Sequence, residues 1–497
     1  MADQSPRIVK TIVLFKEGGA MKVLQKYHNL GLLFLLISAP AWSFNALQKD
    51  FLFFEQKLTQ NLKTIELLTP KSCELSTEES SETRKLKKEW TFIVYMAADN
   101  DLRAFAANNI KQMASVGSNE QLNIVAHLDI KLNGNQKVTR RYFIEKDKIN
   151  HVNQDPTTQS MDSGDQNTLV SCCEWAIKNY PAKNYALILW NHGTGILDPK
   201  YSKIINPAEL FSFNPHTNRL ELDRSIGFLD LLNYVDLDQR GICWDTTTGN
   251  YLTNQKLAQA LDEICAKFIH GKFALIGFDA CLMAMIEVGH LLKEHALVMV
   301  GSQEVELGTG WNYSYILQQL SSSTMSAQEL ATHIVGSYIR SYQNITNDYT
   351  QSALDLTKIH LLERNIDYIS TLLLECLAKQ QSNSVKTAII ASRSKKTCTH
   401  FDEPSYIDLH HFYQNIQSNI GRFQLESGTN LIARLNQALN DGKQIISEVA
   451  FANCTGKNLK DAHGISIYFP GQRVHSSYSK TPFAKENNWQ QLIEQCL

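Results

Sequence analysis

The sequence runs to 497 residues, 43% hydrophobic and 20% charged, enough to bury a large core across two or three domains. This excludes a disordered or collagen-like chain, and 48 Lys plus Arg against 50 Asp plus Glu leaves no basic excess to hold nucleic acid. Ten cysteines in a chain of this length are far from a disulfide framework.

The first predicted element is an export signal within residues 1–43. Lys22 and Lys26, the apolar run Leu30 to Ala39, Pro40 and then Ala41-Trp42-Ser43 follow a basic, apolar, small-residue order. The run is too short to span a bilayer as a helix; a buried helix is the competing reading. Such signals rarely carry a leader, so translation is expected to start at Met21 and the product to be periplasmic or secreted. Residues 44–89 read as a helical and then polar arm, ending in the charged stretch Cys73 to Lys88.

From Trp90 buried strands alternate with helices. Strand-like apolar runs are Trp90 to Ala97, Leu122 to Leu128, Tyr185 to Trp190, Phe273 to Phe278 and Ala296 to Val300. Helical spacing relates Leu252, Leu257, Ala260, Leu261, Ile264 and Phe268, and again Leu282, Met285, Ile286 and Leu292. The pattern predicts an α/β fold with a mostly parallel sheet over residues 90–354, interrupted by a long insertion at 196–240. Residues 355–497 read as a mainly helical region that completes the fold, with a strand-like Ile465 to Phe469.

In open parallel sheets ligands sit at the carboxyl ends of strands. One predicted strand runs into Asn191-His192-Gly193, another into Asp279-Ala280-Cys281. If the two strands are neighbours, an imidazole and a thiol meet. Helical spacing directly after Cys281 places that thiol at a helix N-terminus, where the dipole would lower its pKa. Cys281 would then be a nucleophile, His192 its proton carrier, and the N–H groups of Gly193 and Cys281 an oxyanion hole. Each residue alone also has a plainer reading: an inert core thiol, a turn, and for Asp279 a helix cap.

At these positions the chain resembles the clostripain-like cysteine peptidases, relatives of the caspases and gingipains. The likeness lies in ordered blocks: WTFIVYMAADNDL from Trp90, ILWNHGTG from Ile188, WDTTTGNYLT from Trp244, LIGFDACLMAMIEV from Leu275, SQEVELGTGW from Ser302 and HGISIYFP from His463. The resemblance implies a caspase-like α/β/α sandwich and an endopeptidase with a His192–Cys281 dyad. It implies peptide or protein substrates cut after Arg or Lys, with Asp279 at the pocket for that side chain; Glu304, and Glu306 beside it, are further pocket candidates. It also implies a zymogen cut in the 196–240 insertion, where Lys200, Lys203, Arg219, Arg224 and Arg240 are candidate sites. No cofactor is required. Calcium is left open, because Asp230, Asp236 and Asp238 lack the spacing of a calcium loop. The alternatives are a catalytically silent relative that binds peptides or a partner protein, and a zinc hydrolase using His192, Cys281 and Cys243.

Overall fold

The structure is a computed structural model that describes residues 11–17, 20–26, 87–132, 136–152, 156–197, 210–224, 241–379, 382–423 and 430–497. It divides into two units, residues 1–60 and 61–497. In the first, Thr11–Glu17 and Ala20–Lys26 form an antiparallel hairpin that pairs Lys16 with Met21. The apolar run of the expected export signal, and the arm up to residue 86, lie outside the described residues.

The second unit is built on one nine-stranded sheet. Its strands are β1 (Lys88–Ala98), β2 (Leu122–Lys131), β3 (Lys137–Glu145), β4 (Lys148–His151), β5 (Ala182–Trp190), β6 (Phe273–Asp279), β7 (Ala296–Gly301), β8 (Thr350–Asp355) and β9 (Ala452–Thr455), in the order β9-β8-β7-β6-β5-β1-β2-β3-β4. The inner strands β7, β6, β5, β1 and β2 run parallel. Two antiparallel strands extend each side. The inner strands read as unbroken apolar runs because both faces are covered: β6 is buried at every residue, and β1 from Trp90 onward.

Helices α1 (Arg103–Val116), α2 (Gln166–Asn179), α3 (Asn254–Ile264), α4 (Ile286–Leu292), α5 (Tyr313–Ser322), α6 (Ala327–Tyr342) and α7 (Ile359–Leu377) form the outer layers. α1, α5 and α6 pack in succession in one layer, and α2, α3, α4 and α7 in the other. This is the α/β/α sandwich expected from the sequence. α8 (Ser382–Ser392) and α10 (Leu431–Val449) pack on α7, and α9 (Leu409–Asn419) packs on both of them, while β9, from the same C-terminal stretch, joins the main sheet.

One expected element is displaced. The helix read from Leu282 begins at Ile286, with Met285 as its cap. The apolar spacing continues across the gap because Leu282, Met283, Ala284 and Met285 are buried by packing, not by helix formation. Between them Leu282 has φ +64°, a left-handed turn that costs a leucine free energy and ends any helix there.

The chain leaves β1 toward β2 on one side of the sheet, and runs from β5 to β6 and β7 on the other. That reversal between β1 and β5 opens a crevice at their carboxyl ends.

Candidate active site

β5 and β6 are neighbours, and Trp190 pairs with Asp279 in register. His192 and Cys281 each lie two residues beyond that pair, so the register brings them to the same height on adjacent strands about 5 Å apart. Both are nearly buried, at 5% and 6% exposure, and both line one cleft with Trp190, Asp279, Glu306 and Leu210.

The loop carrying His192 is fixed by polar clips. Asn191 donates from its side chain to Ala97 O at 2.6 Å and accepts from Trp244 N–H at 2.9 Å. His192 Nε2 sits 2.8 Å from Asp101 Oδ1, at the turn after β1. Gly193 follows because nothing larger fits: a Cβ there would stand 2.4 Å from the carbonyl oxygen of Cys281. Farther along, the Tyr406 hydroxyl donates to Thr194 O at 2.6 Å and accepts from Leu197 N–H at 2.8 Å, so the C-terminal region braces the same loop.

Cys281 sits in a tight turn instead of at a helix N-terminus. Its Sγ accepts from Glu306 N–H at 3.2 Å, and Leu282 N–H donates to Glu304 O at 3.1 Å. The expected lowering of its pKa is reversed. Burial pushes the thiol well above its ordinary value, and the Glu306, Asp402 and Glu304 carboxyls add to that rise against the Glu306 N–H bond. In this conformation the thiol is protonated.

Asp279 does not cap a helix. Its Oδ1 accepts from Trp311 N–H at 3.0 Å and its Oδ2 from the Tyr313 hydroxyl at 2.8 Å. Gly310 lies against it with φ +60°, where a Cβ would be 2.6 Å from Oδ1. Burial raises Asp279 to about 6 despite those two hydrogen bonds. Glu306 is raised as well, by burial and then by the charge of Asp279. The Glu306 carboxyl closes no short hydrogen bond; Asp279, the Trp311 indole and the Gln351 amide face it. The cleft wall therefore holds two buried carboxyl groups side by side.

Glu304, the other predicted pocket residue, points elsewhere. Its carboxylate accepts from Val305 N–H and Asp402 N–H, both at 2.9 Å, and from Arg224 at 3.0 Å, and it does not line the cleft. Arg224 belongs to the 196–240 insertion, whose described part is a hairpin of Phe211–Asn214 and Arg219–Leu222. Leu210, at the start of that hairpin, reaches the cleft, where the space left for solvent is about 30 Å³. That holds about two waters and no arginine side chain. Asp230, Asp236, Asp238, Lys200, Lys203 and Arg240 lie outside the described residues. Cys243, weighed as a zinc ligand, is buried in the core and does not line the cleft; among the described residues no group of His, Cys and carboxylates is arranged for a metal. The nine described cysteines are free and buried.

Sequence reading missed Asp101. The signal was an acidic residue just past the β1 run, on the strand that the fold sets beside β5.

The Clostripain family profile matches residues 94–223 and 230–496, most of the chain, from within β1 onward. The chain belongs to the clostripain family. It is a cysteine endopeptidase of that family, acting on peptide or protein substrates. Clostripain of Hathewaya histolytica is 23% identical, the match covering 87% of this chain and 83% of that protein. Among solved structures, a secreted C11 cysteine protease from Bacteroides thetaiotaomicron with an irreversible peptide inhibitor is 19% identical, covering 81% of this chain and 99% of that one at a TM-score of 0.55. An inactive zymogen C11 protease from Parabacteroides distasonis is 18% identical, covering 82% and 98% at a TM-score of 0.52. At these identities the structural likeness carries the fold of this clostripain-family chain, a caspase-like sandwich, and no more.

Proposed function

We propose that this peptidase cleaves after Arg or Lys through Cys281 and His192, with Asp101 orienting the imidazole, and that the described conformation is its inactive precursor. The observation that carries the specificity is the pair of buried carboxyl groups, Asp279 and Glu306, side by side in the cleft wall. A guanidinium or ammonium entering there would supply charge and strong donors, whereas an apolar side chain would offer neither.

The chemistry follows from the turn geometry. With Nε2 held by Asp101, Nδ1 is the ring nitrogen assigned to the thiol proton. Transfer of that proton gives the Cys281 thiolate and a His192 imidazolium that the Asp101 carboxylate stabilises. The sulfur attacks the scissile carbonyl, and the C=O electrons become an oxyanion facing the N–H groups of Gly193 and Cys281. Collapse expels the amine, which takes the proton from His192. Water, deprotonated by the same imidazole, then hydrolyses the thioester. Export through the predicted signal belongs to this reading and is supported by the secreted relative.

The precursor reading rests on the 30 Å³ cleft and on Leu210 in its wall. Of the candidate cut sites, Arg219 donates to Gln343 O and Arg224 is held by Glu304 and Asp348, so neither side chain is available to a pocket. Lys200, Lys203 and Arg240 remain.

The test is hydrolysis of fluorogenic peptides ending in Arg, Lys or a neutral residue. Cys281→Ala is expected to abolish turnover. Asp101→Asn should lower kcat on the order of 10²–10⁴-fold with KM little changed, and shift the acid limb of the pH profile. Equal rates on neutral and basic peptides would sink the specificity; an unaltered Asp101→Asn profile would sink the orienting role.

A further inference from the structure

A second concave site lies on the C-terminal region, away from the cleft. It is a surface pocket of about 500 Å³ whose wall includes Arg393, Lys395, His400 and Arg473, with Ser405 and Gly471, and no carboxylate. Arg393 is the half-buried member. Its guanidinium lies over the Phe469 ring at 5.4 Å and makes one long contact, 3.4 Å to Pro404 O. Its Nε is buried without an acceptor, and no ion pair holds it among the described residues. A guanidinium with a buried Nε that lacks an acceptor, and with no ion-pair partner among the described residues, gains from a ligand that completes it.

The wall around that charge is itself cationic. Lys395 and Arg473 are exposed and add two cations to the same wall. Glu403, the acid beside Pro404, is turned onto the amide and hydroxyl of Ser405. His400 sets both ring nitrogens on carbonyl oxygens, Pro404 O at 2.8 Å and Arg393 O at 2.5 Å. Burial holds its pKa below the ordinary value against those two hydrogen bonds, with smaller contributions from the charges of Arg393 and Lys395.

We propose that this pocket binds a tetrahedral oxyanion carried on a small polar body, a phosphate or sulfate ester, seated against Arg393 between Lys395 and Arg473. Guanidinium groups bind such oxyanions through paired N–H donors. The 500 Å³ volume is in the range of small-molecule sites and far exceeds a bare phosphate, which is why an ester fits better than the inorganic ion. Gly471 keeps the floor open: a Cβ there would stand 3.0 Å from the Arg393 guanidinium.

Calorimetric titration of the whole protein at low salt with glucose 6-phosphate, glucose 6-sulfate, inorganic phosphate and glucose tests this. Saturable binding of one or both esters is expected, the stronger of the two naming the source. Arg393→Gln should weaken it at least tenfold. Arg473→Gln and Lys395→Gln, exposed positions that leave packing alone, should each weaken it at least threefold. The His400 imidazole should titrate at higher pH when the ester is bound. No saturable binding of either ester, equal binding of glucose, binding indifferent to all three substitutions, or inorganic phosphate binding as tightly as the esters would each overturn the assignment.

Discussion

Asp279 is a nearly buried carboxylic acid, and its protonation ties stability to pH. In the folded chain burial raises it to about 6 from an ordinary 3.8, and Glu306 beside it is raised too. Between pH 4 and 6 the native state therefore binds more protons than the unfolded one, so this site's contribution to stability falls as pH rises through that window. Asp279→Asn removes one of the two titrating groups and the charge that raises the other. Thermal unfolding of the variant should show a smaller loss of Tm between pH 4 and pH 7 than wild type, and an identical loss would refute the coupling. Not all of this pocket was legible in the sequence. His192 and Cys281 were, because each closes a buried apolar run with a reactive side chain. Glu304 and Glu306 could not be separated: two residues apart in a loop, they differ in where the loop turns, and spacing does not encode that. The role of Asp101 needs the knowledge that β1 lies beside β5. The helix assumed after Cys281 failed because buried residues at helical spacing look alike whether a helix or a packed turn buries them.

At the scale of elements, a buried cation and three carboxylates tie strand ends together. Lys137, at the start of β3, lies 3.1 Å from Asp129 on β2 and 3.7 Å from Asp99 after β1, and also pairs with Asp245. Asp129 further accepts from Thr139 at 2.9 Å and Ser163 at 2.5 Å, yet burial still raises it to about 7. The cluster ties three strand ends to the Ile242–Asp245 strand, two residues before the Asp101 that holds His192. Lys137→Met would leave the carboxylates without their cation, a loss of about 3–5 kcal/mol as for one-sided removal from a buried ion pair. Denaturant unfolding should report it as a lower midpoint with an unchanged slope, and Lys137→Arg should recover part of it. A midpoint within error of wild type would mean that the carboxylates take up protons at no cost. The inner strands of this layout could be read from their apolar runs. β3 and β4 could not, since these outer strands carry polar residues such as Arg140 and Arg141 and, in the sequence, resemble exposed loop.

For the whole molecule the deciding relation is between the insertion and the cleft. The hairpin at 211–222 is docked by a bridge from Leu220 to Thr346 and by Arg224 on Glu304 and Asp348, 3.0 and 3.3 Å away. Leu210 enters the hairpin from the cleft wall, so the segment that would be cut also narrows the site. Glu304 lies two residues from Glu306, whose N–H donates to the Cys281 sulfur at 3.2 Å. Release of the insertion would thus act on Cys281 from two directions, withdrawing Leu210 and freeing the 302–310 loop. The raised thiol pKa belongs to the docked form and should relax when solvent enters. Iodoacetamide labelling of Cys281, read by peptide mass mapping to separate it from the other buried thiols, should be slow in the intact chain. It should speed up at least tenfold after limited proteolysis between residues 198 and 240, together with peptidase activity. Arg224→Gln should raise the labelling rate without any cut, at the cost of about 1–3 kcal/mol for leaving buried carboxylates short of a donor. Equal labelling before and after the cut, with activity already full in the intact chain, would show that the insertion is only an ornament on an open enzyme.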